Sequence, residues 1–265
     1  MVTIIDDKSR TIFYHVPKCG GMSISGQLEN ELLCDPRFGQ SGITKHPELG
    51  DVMMCHLPAP VIRMHFSEVF SKLQSYRTFG IWRDPERRFY SAFSQHVAEF
   101  HRLNIYSAPD AKIAELLDRV LNSIGPGQPG MLNEFIHFNL QADYIECDGE
   151  RIIDSLYALS DIEIATAEMS RAFNVPLEGS ARENVRSKGY RSDKIRKIMP
   201  KLAATARSLL PEAATSAIKG TLIPRLQTEK APAMPEALRA PSVAEFVRTF
   251  YARDYALEPK EVATA

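Results

Sequence analysis

Charge of one sign is what this sequence most lacks. Its 265 residues carry 32 lysines and arginines against 33 aspartates and glutamates, a formal charge of −1. No global basic field draws nucleic acid, so an anion site has to be built locally. Cysteine is scarce as well. Cys19, Cys34, Cys55 and Cys147 are scattered with no Cys-x-x-Cys spacing, which argues against a disulfide framework or a zinc site and suits reduced thiols in a cytosolic protein. No apolar run reaches transmembrane length. The first ten residues contain Asp6, Asp7, Lys8 and Arg10, which cannot form the apolar core of a signal peptide. The expectation is a cytoplasmic chain. With 44% hydrophobic and 25% charged residues it has the composition of an ordinary globular protein, and its length suits a single large α/β domain.

The stretch from Thr11 to Leu28 organises what is there. Ile12, Phe13, Tyr14 and Val16 read as a buried strand, which Pro17 ends because it has no N–H to donate. Gly20 and Gly21 permit a tight turn with the backbone close to a ligand. Ser23 then reads as the cap of a helix running to Leu33. A strand, a glycine turn, Lys18 and a helix start make an anion cradle, in which backbone N–H groups and the helix dipole are joined by a full positive charge. It is not a Walker A loop, whose lysine follows the glycines and is followed by a hydroxyl residue.

Further along, 34–50 reads as a loop, and 51–56 as a second buried strand that delivers His56 to the rim of the sheet. Residues 62–73 read as a helix and 76–82 as the third strand. Asp84 and Pro85 open a helix with Phe89, Phe93, Val97 and Phe100 on one face. Helices are also expected over 113–121, from Ser160 or Asp161 to Phe173, over 193–210 and over 243–255, and a strand over 152–159. Residues 206–241 read as a Pro/Ala-rich excursion. Strands alternating with helices predict a mostly parallel sheet flanked by helices, in a P-loop-like three-layer arrangement with ligands at the strands' carboxyl ends. Lys18, His56 and Arg83 would then share one rim. His15 reads as a packing residue inside the first strand, Arg87 and Arg88 as solvent-facing or Asp-pairing, and His137 has no context.

Two of these stretches resemble those of sulfotransferases that use 3′-phosphoadenosine 5′-phosphosulfate (PAPS), chiefly the carbohydrate-modifying branch and its bacterial relatives. Pro17-Lys18-Cys19-Gly20-Gly21-Met22-Ser23 resembles the 5′-phosphosulfate loop, and Arg83-Asp-Pro-Glu-Arg-Arg-Phe-Tyr-Ser91 the 3′-phosphate motif. Weaker likenesses are Gln141-Ala-Asp-Tyr144, Asp161 with Glu163, the basic stretch Asn184-Val-Arg186-Ser-Lys188, and Phe250 to Tyr255. The resemblance implies a cytoplasmic enzyme that moves the sulfuryl group of PAPS to an acceptor hydroxyl, with a carbohydrate as candidate acceptor and no metal. Lys18 would be catalytic, and residues 17–23, Arg83, Ser91, Arg186 and Lys188 would hold the cofactor. Cys55-His56-Leu-Pro58 resembles the family's Gly-His-x-Pro element, which makes His56 the candidate base. A neutral imidazole suits that task, and its pH profile would rise through a pKa near 6.5, lowered by Lys18. Cys19 and Met22 stand where the family usually has threonine, and 206–241 has no counterpart. Two alternatives stay open: a non-catalytic binder of adenosine 3′,5′-bisphosphate, and a P-loop-type kinase.

Overall fold

An Asx turn starts the sheet. In the structure, a computed structural model that describes residues 3–32, 35–38, 42–125, 132–178, 189–190, 227–228 and 233–259, the Asp6 carboxylate accepts the N–H groups of Lys8 at 3.2 Å and Ser9 at 3.0 Å. That turn joins β1 (Ile4–Asp6) antiparallel to β2 (Thr11–Phe13). The polar run that makes the turn hides this hairpin from sequence patterning. After β2 the loop 17–21 leads into α1 (Met22–Glu31). Gly21 is the N-cap and no side chain caps the helix, so Ser23 lies inside the first turn instead of capping it.

The expected strand at 51–56 is corrected. Residues 44–52 form a separate hairpin of β3 (Thr44–His46) and β4 (Gly50–Val52), and Met54–His56 is a 3-10 turn. Met53, Met54 and Cys55 are buried there as they would be in a strand, and a short apolar run cannot tell the two apart. His56 therefore reaches the core from a turn and not from a strand end. The helix expected over 62–73 is two, α2 (Ala59–His65) and α3 (Ser67–Ser75), broken where Phe66 leaves helical geometry.

β5 (Arg77–Trp82) pairs parallel with β2. It leads into α4 (Pro85–Phe100), where the Asp84 carboxylate accepts the Arg87 N–H at 2.9 Å and Pro85 takes the first turn. α5 (Asp110–Ser123) packs beyond it. A 3-10 turn at Ile136–Phe138, α6 (Ala142–Ile145) and a short ladder of β6 (Glu146–Cys147) with β7 (Glu150–Arg151) follow. β8 (Ser155–Ala158) then pairs parallel with β5. α7 (Ile162–Phe173) ends at Asn174 in the left-handed region. The expected last helix is α8 (Pro241–Phe250) plus α9 (Ala252–Tyr255).

The result is a mixed α/β fold. Its four-stranded sheet runs β1-β2-β5-β8, parallel except at β1. One apolar cluster forms around the sheet, and a second joins α4, α5 and α8 through Phe89, Phe93, Leu117 and Val247. Arg186, Lys188, the helix expected over 193–210 and most of the 206–241 excursion lie outside the described residues. Within that excursion Gln227–Thr228 pairs with Gly189–Tyr190, and Glu236–Arg239 makes a 3-10 turn. No helix among the described residues is long and apolar enough to cross a membrane.

The two clusters are pinned by a buried charge pair. Arg88 of α4 and Asp254 of α9 are both fully buried, 3.9 Å apart. Asp254 also accepts the N–H groups of Gln141 and Ala142, each at 2.9 Å. Removing one partner of such a pair leaves an uncompensated interior charge, at about 3–5 kcal/mol. Asp254→Ala is therefore expected to lower the urea midpoint by that much stability at unchanged slope. A loss below 1 kcal/mol would show the pair to be dispensable.

Candidate functional site

The loop between β2 and α1 is held mainly from beneath. Arg88 Nε donates to the Pro17 carbonyl at 3.0 Å, and Arg88 Nη2 to the His137 carbonyl at 3.3 Å. Arg83 Nη1 donates to the Lys18 carbonyl at 3.1 Å. The Gln141 side chain pairs with the backbone of Arg83, accepting its N–H at 2.9 Å and donating to its carbonyl at 2.8 Å. Thus the segments around residues 18, 83, 141 and 254 meet physically.

This frame sets an unusual backbone. Lys18 has φ 68° and Gly20 φ 80°, both in the left-handed region that non-glycine residues rarely occupy. A Cβ on Gly20 would lie 2.5 Å from Leu159 Cδ1, and one on Gly21 would lie 2.8 Å from Phe13 Cζ and 3.0 Å from His15 Nδ1. Gly20 is therefore favoured by its left-handed φ, and Gly21 by the buried rings of Phe13 and His15 beneath it.

Above the loop opens a cleft of about 280 Å³. Of the residues expected at the site, Lys18, Gly20, Gly21, Met22, His56, Arg83 and Ser91 line it. Pro17, Cys19 and Ser23 do not. Pro17 is buried and spends its carbonyl on Arg88. Cys19 is fully buried, and its thiol donates to Gln141 Oε1 at 3.0 Å. Burial pushes the Cys19 pKa up to about 11, so it is a structural thiol. Ser23 borders a different groove, with Gln27 and Glu178.

The cleft's electrostatics are one-sided. Lys18, Arg83 and Arg87 face it together with the hydroxyls of Tyr90, Ser91 and Ser94, and among the described lining residues there is no carboxylate. The first turn of α1 carries no acidic residue, so its positive end is not neutralised. Lys18 Nζ donates to Gln95 Oε1, whose amide in turn donates to Glu99 at 3.2 Å. Gln95 and Ser94 went unnoticed in the sequence, where their only signal is helical spacing from Ser91 along α4. Arg87, read there as solvent-facing or Asp-pairing, lines the cleft instead.

His56 does not stand alone. The turn that bears it is clamped by two tyrosines, with Tyr144 Oη donating to the His56 carbonyl at 2.8 Å and Tyr14 Oη to the Leu57 carbonyl at 2.7 Å. Its ring lies between those of His15, 5.4 Å away, and His137, 5.1 Å away. All three rings are at most 2% exposed and border the cleft. Burial lowers the pKa of each, helped by the neighbouring cations and imidazoles. His15 and His137 fall to about 3, and His56 lies well below its ordinary value. His15 is thus part of the site and not only packing, and His137 joins it from a 3-10 turn that no sequence pattern marks. Among the described residues no group of three or more His, Cys, Asp or Glu side chains could hold a metal ion.

No family model matches the chain, and no curated protein or solved structure matches it either.

Three buried neutral histidines make stability acid-sensitive. As pH falls through about 6.5 the unfolded chain takes up protons that the native His15 and His137 rings refuse until about pH 3 and that native His56 refuses until well below its ordinary range. Stability is therefore unaffected by these groups above pH 6.5. It falls below that, by up to about 1.4 kcal/mol per pH unit for each ring. Unfolding at pH 5 is expected to take up about one proton through each of His15 and His137, and His137→Gln to remove about one of these. Proton uptake unchanged in that variant would mean that His137 titrates normally in the folded protein.

Proposed function

We propose that the cleft binds PAPS and that the chain transfers its sulfuryl group to a hydroxyl acceptor. The observation that carries this reading is the clustering of Lys18, Arg83 and Arg87 with two serine hydroxyls around an uncapped helix start, with no carboxylate among the described lining residues. Such a surface takes multiply charged anions. β2, the glycine turn and α1 supply a P-loop-like cradle for the 5′-phosphosulfate. Arg83 and Ser91, two helical turns apart at the head of α4, suit a phosphate on the ribose, because a planar guanidinium takes two phosphate oxygens and a hydroxyl donates to a third. The described residues fit the cofactor: their donors are cationic or neutral, and the glycines bring the backbone to the floor of the cleft.

When bound, PAPS supplies an activated sulfuryl group attached to a phosphate leaving group. Lys18 stabilises the negative charge that grows on that phosphate, as preorganised cations do in phosphoryl transfer. His56, neutral because it is buried, accepts the proton of the acceptor hydroxyl at a ring nitrogen. A second reading, a non-catalytic binder of the nucleotide, is favoured by the loop itself. The Cys19 side chain is buried and Met22 is apolar, so neither offers a hydroxyl to the phosphosulfate.

Binding and turnover are separately testable. Adenosine 3′,5′-bisphosphate at a hundred times its Kd adds about 2.7 kcal/mol of stability and is expected to raise the melting temperature well above the effect of AMP. Arg83→Ala is expected to erase about 1.5–3 kcal/mol of that preference. Equal shifts from the two nucleotides would remove the 3′-phosphate site from the reading. Nucleotide binding without sulfuryl transfer to any hydroxyl in a broad screen would favour the binder.

For the enzyme, His56→Ala is expected to reduce turnover about 10²–10⁴-fold while sparing bisphosphate affinity. The structure also changes the pH profile from that expected of an ordinary histidine. With His56 held well below its usual range by burial first, and by His137, His15 and Lys18 after it, turnover is expected to stay flat through pH 6.5 and decline only at lower pH. A limb centred near 6.5 would assign the base to another group.

A further inference from the structure

Four buried polar side-chain atoms find no hydrogen-bond partner among the described residues: His15 Nδ1, His56 Nδ1, His137 Nδ1 and Arg88 Nη1. They are not scattered. The His56 ring lies 5.4 Å from that of His15, tilted to it, and 5.1 Å from that of His137, edge-on, and Arg88 donates to the carbonyl of His137. Interiors satisfy nearly all such atoms with protein, ordered water or ligand, because an orphan has lost its hydration and gained nothing in exchange. All three rings border the cleft beside Lys18, so their missing partner can enter from there.

The chemistry of that partner is restricted. A neutral imidazole has one N–H and one lone pair, so three of them offer both donors and acceptors. A hydroxyl, itself donor and acceptor, serves both. An ammonium group donates only and is repelled by Lys18, Arg83 and Arg88. A carboxylate accepts only and leaves the ring lone pairs unmet. The anion loop and the histidines also share a wall, since Gly21 is packed so closely on His15 that a Cβ there would approach its Nδ1 to 3.0 Å.

We propose that His15, His56 and His137 together form the seat of the acceptor's hydroxyl group. His15 and His137 act as hydroxyl-positioning residues on either side of His56, and the seat selects neutral hydroxyl-bearing acceptors over amines and carboxylates. The assignment of the hydroxyl as an acceptor rests on the sulfuryl-transfer reading above. In the transfer, the acceptor oxygen bonds to sulfur as the sulfur–oxygen bond to phosphate breaks. The electron pair of that bond leaves on the phosphate, and the hydroxyl proton moves to a ring nitrogen of His56. His15 and His137 fix the direction from which the oxygen attacks.

Imidazole nitrogen NMR tests the seat without a known acceptor. ¹⁵N-labelled protein, with and without adenosine 3′,5′-bisphosphate, is titrated with glycerol, ethylammonium or acetate at matched concentrations, and each ring is assigned by its His→Asn variant. Glycerol is expected to shift the nitrogens of all three histidines, ethylammonium and acetate to leave them unmoved, and His137→Asn to weaken the glycerol response of His56 at least fivefold. A response confined to His56, an equal response to all three probes, or none, overturns the proposal. Where the variant does not fold, a crystal of the unmodified protein soaked in glycerol decides. A hydroxyl oxygen within hydrogen-bond distance of at least two of the three Nδ1 atoms supports the seat, and its absence there overturns it. Failure to bind the bisphosphate sinks the sulfuryl-transfer reading alone, because the glycerol response is also read in nucleotide-free protein.

Discussion

Everything at the cleft depends on one guanidinium that never sees water. Arg88 reaches the Pro17 carbonyl, the His137 carbonyl and the Asp254 carboxylate from a fully buried position. Burying such a charge pair is costly in desolvation, and an apolar replacement of similar shape can be as stable. Its contribution is geometric. One cation fixes the strand-to-helix loop, the turn bearing the third histidine and the last described helix relative to one another. Burial pushes the Asp254 pKa up, and Arg88 and the backbone donors of Gln141 and Ala142 oppose that rise.

Around this frame the cleft combines two kinds of polarity. Cations line it with no carboxylate among the described lining residues. Imidazoles kept uncharged by burial line it as well. Cations and neutral bases coexist because each suppresses the other's alternative: a proton on any ring would be repelled by Lys18 and by its histidine neighbours. An anion and a proton-bearing neutral group can thus be held side by side without competing for the same contacts.

Legibility from sequence followed the physics of each signal. β2, β5 and β8 stood out because β-branched and aromatic runs need burial on both faces. α4 stood out because Asp84 and Pro85 are local capping chemistry that tertiary contacts did not override. The β1–β2 hairpin was invisible because its signal is one carboxylate folding back on two N–H groups, inside a run that reads as plain polar chain. Met53 to His56 misled because buried turns and buried strands draw on the same residues. Arg88 reads from sequence as solvent-facing or Asp-pairing, and it does pair with an aspartate, but nothing local says that the partner is Asp254 or that the two meet in the interior. His137 carried no signal at all. Its role exists only because Arg88 holds its carbonyl and His56 faces its ring.

The Asp254 contact also imposes an order on the chain's birth. The loop at 17–21 leaves the ribosome early, yet the carboxylate that neutralises its supporting arginine is made more than two hundred residues later. At 5–20 residues per second, that interval is on the order of tens of seconds. Throughout it Arg88 lacks the carboxylate that neutralises it in the folded protein, so the Arg88–Asp254 contact cannot yet form. The cleft's supporting frame is therefore a late product of translation, begun with the first βα unit and completed only when α9 emerges.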